Sequence, residues 1–137
     1  MVKKALFLNS LLISVLVLTS CQKATNDPSL FQKWKVSSLL KNGASIVQNA
    51  SDTLSLTFDQ NKSLSIQLEI NSCGADFSLR DKTLDIDLIA CTEACCDSDF
   101  SADLLYVLQH IVAYHFTGND LNLTGDSDRV IRCIPFD

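Results

Sequence analysis

The six cysteines of this 137-residue chain are its residues best suited to chemistry, and their spacing separates them into two kinds. Cys21 closes Leu18-Thr19-Ser20-Cys21, the lipobox that bacterial lipoprotein signal peptidase cuts between Ser20 and Cys21. After that cut Cys21 is residue one and carries the lipid. The other five are Cys73, Cys91, Cys95, Cys96 and Cys133, and three of them crowd into Cys91-Thr92-Glu93-Ala94-Cys95-Cys96-Asp97. These sulfurs would suffice for a four-thiolate zinc site or a thiol-redox centre, but the Cys-x-x-Cys spacing of either is missing. An exported domain oxidises its thiols, so structural disulfides are the expected chemistry, each worth roughly 2 to 4 kcal/mol. Five is odd. Two bridges and one leftover thiol are expected, with Cys95 and Cys96 competing for partners among Cys73, Cys91 and Cys133.

The remaining candidates are weaker. His110 and His115 lie five apart, not the four that would put both on one helical face, and neither has a recognisable serine or cysteine partner. Asp85 with Asp87, and Asp126 with Asp128, lack the Asp-x-Asp-x-Asp-Gly loop that specifies calcium. No catalytic residue, metal or cofactor is expected.

The segment before Cys21 has a basic start, Lys3 and Lys4, and an apolar run over residues 5–18. That run is shorter than the ~20 apolar residues a spanning helix needs. The chain therefore divides into a signal peptide (1–20), a lipidated N-terminus and tether (21–29), and one domain (30–137). Hydrophobic residues make up 47 % of the chain, a value the leader inflates, so the domain is more polar than the whole. Removing Lys3 and Lys4 takes the formal net charge from −5 to −7, which disfavours nucleic acid as a partner. The expected membrane contact is the lipid on Cys21, in the bacterial envelope. Lys23, rather than an aspartate, follows Gln22, which is compatible with transfer to the outer membrane.

Those candidates must be positioned by strands. Leu64, Ile66, Leu68 and Ile70 alternate with polar residues, as do Leu54, Leu56 and Phe58, and Asp59-Gln60-Asn61-Lys62 between them reads as a hairpin loop. Trp34 and Val36 open the domain as a strand that ends at the turn Lys41-Asn42-Gly43. Phe77 and Leu79 form a short strand, and Leu84, Ile86 and Leu88 point inward from the next. Phe100, Leu104, Val107, Leu108, Ile111 and Val112 recur at helical spacing, which predicts one amphipathic helix over about 98–113, capped by Asp97 or Ser98. Strands return after it, around 114–117, 121–124 and 129–136. The expected fold is α+β and mostly β, a small antiparallel, partly open barrel-like sheet with the helix packed on it.

Several segments together resemble the META domain family of HslJ-like envelope proteins, in the variant common in Bacteroidetes lipoproteins. They are Trp34-Lys35-Val36, Leu54-Ser55-Leu56-Thr57-Phe58, Asn71-Ser72-Cys73-Gly74 with Asp76-Phe77, the run from Ile89 to Asp97, and Gly118-Asn119-Asp120-Leu121-Asn122-Leu123 after the helix. The resemblance implies a compact antiparallel β fold with one helix and carries no catalytic residues to transfer. It also implies a role in envelope maintenance or stress resistance. The expectation is a non-enzymatic, lipid-anchored module that binds or scaffolds another envelope component. Two alternatives stand beside it: an inhibitor of an exported hydrolase, and a thiol-redox or metal-dependent enzyme using the 91–96 cluster.

Overall fold

Alternation along the first strand already separates an inner from an outer face. In the computed structural model, which describes residues 28–47 and 54–137, β1 (Lys33–Lys41) buries Trp34 and Val36. A register shift between Val36 and Ser38 then turns Leu39 inward in place of Ser38. Asn42 and Gly43 follow with φ of 51° and 79°, the left-handed pair that a two-residue hairpin turn requires, and return the chain as β2 (Ala44–Val47). The leader, the lipobox and the tether up to residue 27 lie outside the described residues.

The next strands are β3 (Ser55–Phe58), β4 (Ser63–Gln67), β5 (Ser72–Arg80), β6 (Thr83–Ile86) and the two-residue β7 (Ala90–Cys91). Helix α1 (Asp99–Leu108) leads into β8 (Ile111–Thr117), β9 (Asp120–Gly125) and β10 (Val130–Pro135). Eight of the strands form an antiparallel ring in the order β1-β3-β4-β5-β6-β8-β9-β10, closed where β10 pairs with β1. β2 extends from β1 and β7 from β5. The seam between β6 and β8 is narrow: one ladder pair, Thr83 with Ala113, and a bond from Tyr114 N–H to the Lys82 carbonyl. The fold is thus mostly β with one helix, as the alternation predicts, and the ring is complete.

Side chains fill the ring, as an eight-strand interior allows. Trp34, Leu56, Ile66 and Cys73 form one buried row across β1, β3, β4 and β5. Val36, Cys133 and Leu121 form another across β1, β10 and β9. The Trp34 indole N–H donates to the Leu30 carbonyl at 3.0 Å, so the largest core side chain also fixes the entry of the chain. Helix α1 packs against β1 and β10 through Leu104, Val107 and Leu108.

Four expectations need correction. The helix ends at Leu108 with Gln109 as cap, not at residue 113, because Ile111 and Val112 are β-branched and enter β8. A register shift in β8 leaves Val112 53 % exposed. Leu88 does not point inward: β6 stops at Ile86, and Leu88 is 84 % exposed. Ile70 lies past the end of β4 in the turn to β5, half exposed, and β5 itself starts at Ser72 and absorbs Cys73.

Candidate functional site

The cysteine segment is held against the β4–β5 turn by one buried side chain, Asn71, which is 7 % exposed. Its Oδ1 accepts from the Thr92 hydroxyl and the Ala94 N–H, both at 2.8 Å. Its Nδ2 donates to the Ala94 carbonyl at 2.6 Å and to the Asp97 carboxylate at 2.5 Å. Asn71 thereby uses both ends of its amide on one loop. Asp97 answers by accepting from the backbone N–H of Ile70 at 2.8 Å and of Asn71 at 3.3 Å, and so caps the turn rather than the helix. The helix cap is Ser98, whose hydroxyl accepts from Ser101 N–H at 3.2 Å. Thr92 N–H donates to the Ser72 carbonyl at 3.0 Å, and Ser72 N–H to the Thr92 hydroxyl at 3.2 Å. Glu69 accepts from the hydroxyls of Ser98 and Ser101.

The two carboxylates of this corner are held in their charged form. Desolvation alone would raise the Glu69 carboxyl, but the Ser101 and Ser98 hydroxyls outweigh it and leave Glu69 below the usual carboxylate range. At Asp97 desolvation is likewise outweighed, by the Asn71 amide and the two turn N–H groups.

Two bridges and one spare thiol are present, and the pairing that the sequence leaves open is now defined. Cys73 and Cys91 face each other as ladder partners of β5 and β7, Cα atoms 4.0 Å apart, and form one disulfide. Cys95 and Cys96 do not compete for distant partners. They bond to each other, with Cys96 at φ 88°. The leftover thiol is Cys133, wholly buried inside the ring, where burial pushes its pKa well above the ordinary range. The segment from Cys91 to Cys96 is exposed throughout, and Glu93, Ala94, Cys95 and Cys96 form its outermost stretch beyond the Thr92 contacts.

The other candidates do not assemble. Among the described residues no group of three or more His, Cys, Asp and Glu is placed to hold a metal ion. The His110 ring meets the Tyr106 carbonyl at 2.7 Å through Nδ1, whereas His115 stands exposed on β8. Asp126 pairs with Arg129 at 2.6 Å, and Asp85 and Asp87 are exposed, Asp87 lying just past β6.

Sequence reasoning missed a second feature, on the outer face of β1, β10, β9 and β8. Ladder register places Ser38, Arg132, Asn122 and His115 side by side across those four strands. With Ser37, Thr117 and Asp120 they line an open groove of about 470 Å³. Its signal was present in part, since Ser37, Ser38, Asp120, Asn122 and Arg132 each adjoin a buried residue, while His115 and Thr117 sit beside half-buried aromatics. The strand order that aligns them was not.

Residues 28–135 match the family model for the META domain. The chain belongs to the META domain family. No curated protein matches this META chain. Its fold resembles an NMR structure of a protein from Burkholderia xenovorans, with TM-score 0.63 and 15 % identity over 76 % of this chain and 81 % of that one. It also resembles a crystal structure of a DUF4847 family protein from Bacteroides vulgatus, with TM-score 0.59 and 11 % identity over 77 % and 92 % of the two chains. At these identities the likeness speaks for the fold alone.

Proposed function

We propose that this META protein is a lipid-anchored component of the bacterial envelope, held at the outer membrane through Cys21, that acts by binding another envelope component rather than by catalysis. The observation that carries the reading is the corner: an exposed segment, 93–96, whose backbone is fixed from behind by Asn71, Asp97, Thr92 and the Cys73–Cys91 bridge. A loop already ordered before contact avoids the entropy cost that weakens flexible binders. The corner offers no nucleophile with a base beside it, and its exposed surface is one carboxylate, a methyl group and a disulfide. Such a loop also suits an inhibitor that enters the active site of an exported hydrolase, and the exposed Cys95–Cys96 pair leaves thiol exchange as a third reading.

The test is a photo-crosslinking residue at position 93 of the full chain in living cells, with position 81 as control. The expected result is a defined membrane-fraction adduct at 93, absent at 81 and lost when Asn71→Ala loosens the loop. An identified exported hydrolase whose activity falls on capture would select the inhibitor reading. No adduct above the control, or membrane attachment persisting in Cys21→Ala without palmitate incorporation, would overturn the proposal.

A further inference from the structure

We infer that the groove across β1, β10, β9 and β8 is a binding site for an acidic sugar, a polyhydroxylated ring carrying a single carboxylate. The site lies half the ring away from the cysteine corner, since four strand steps separate β10 from β5, and does not draw on it.

The Ser38, Arg132, Asn122, His115 row crosses four strands, and at about 4.8 Å per strand it extends roughly 14 Å, the length of two or three sugar rings. Its volume of about 470 Å³ falls within the range of small-ligand sites, roughly 300 to 1,000 Å³. Such sites are usually apolar with a few polar groups, whereas all seven lining residues here are polar. That composition rejects an apolar ligand and favours one that exchanges hydrogen bonds along its whole length.

Charge narrows the class. The Arg132 guanidinium makes no ion pair or hydrogen bond with any described residue, in a chain of net charge −5. Its backbone is steadied from the next strand, because the Ser37 hydroxyl donates to the Arg132 carbonyl at 3.0 Å. An unpaired guanidinium presents the fork geometry that a carboxylate fills with two bonds. Asn122 is 8 % exposed and donates to the Thr117 hydroxyl at 3.1 Å, which fixes its amide and leaves its carbonyl oxygen to accept from a ligand hydroxyl. Asp120, two residues before Asn122 on the same face, accepts hydroxyls and repels a second negative charge. The groove therefore discriminates against phosphate dianions and against ligands with two acidic groups.

Full-length protein in detergent, titrated with N-acetylmuramic acid, glucuronic acid, N-acetylglucosamine and glucose 6-phosphate, tests this by the amide and side-chain NMR shifts of His115 and Asn122. The two acidic sugars are expected to shift these resonances, the stronger of the two marking a cell-wall or a uronate-bearing glycan as the source. The neutral sugar and the phosphate are expected to bind more weakly. Arg132→Gln removes a charge-assisted contact and should weaken the acidic sugars about 10- to 100-fold, while Arg80→Gln, the same change on β5, leaves them unaltered. Asp120→Asn should bring the phosphate closer to the acidic sugars. Equal binding of neutral and acidic sugars, insensitivity to Arg132→Gln, or shifts confined to residues 93–96 would overturn the assignment.

Discussion

Replacing Asn71 with alanine should unfasten the cysteine corner while leaving both disulfides chemically intact. The side chain is buried and makes four hydrogen bonds to the 92–97 segment. At about 1 kcal/mol net for each, the sum approaches 4 kcal/mol, and water entering the vacated space returns part of it, so a loss of about 3 kcal/mol is expected. For a domain of this size that corresponds to a melting temperature lower by roughly 12 °C, at about 4 °C per kcal/mol. Thermal melting monitored by circular dichroism gives the global value, and hydrogen exchange gives the local one. The Ala94 N–H, which loses the Asn71 Oδ1 acceptor, should exchange markedly faster, whereas amides of the β3–β4 hairpin should change only as far as global stability falls. An unchanged melting temperature together with unchanged exchange across 92–97 would refute the claim that Asn71 organises this loop.

The two bridges should differ in weight. Cys73–Cys91 spans 18 residues, and replacing both cysteines with alanine should cost about 3 kcal/mol by urea unfolding, whereas Cys95→Ser with Cys96→Ser closes almost no loop and should cost under about 1 kcal/mol. Acid should weaken the domain with a defined sign. Glu69 and Asp97 titrate lower in the folded than in the unfolded chain, so their stabilisation is complete above the ordinary carboxylate range near pH 4 and is lost as pH falls through their depressed folded values, which urea midpoints between pH 7 and pH 3 will show. Gly125→Ala should be destabilising by about 2 kcal/mol, because a Cβ there collides with the His110 carbonyl oxygen, and the urea midpoint reads it directly.

Local patterns were legible where contacts are local. The β3–β4 hairpin, the Asn42-Gly43 turn and the buried face of α1 follow from alternation, turn chemistry and helical spacing within short windows. The helix end was ambiguous because Ile111 and Val112 satisfy both helical spacing and β preference, and packing against β9 decided for strand. Leu88 reads as a core residue because alternation continues past Ile86, and only the departure of the chain toward β7 puts it outside. At the corner, the two bridges and the spare thiol follow from counting, but the neighbouring pair Cys95–Cys96 does not. Asn71 opens one of the segments that carry the family resemblance, but its type alone does not show its role, since a polar residue in a turn is ordinarily solvated. The outer groove depends on β1 meeting β10, a pairing between opposite ends of the domain that no local window contains.

That pairing also sets a timetable. The ring closes with its first strand, 33–41, against its last, 130–135, so the edge of β1 that β10 covers stays open until nearly all of the domain has been made. Contacts so distant in sequence slow folding and prolong the interval in which a strand edge stands open to other chains. The Cys73–Cys91 bridge needs no residue beyond 91 and can form before closure, pinning β5 and β7 while the rest of the ring waits. Loss of the final strand would remove the groove's arginine and reopen the ring in one step.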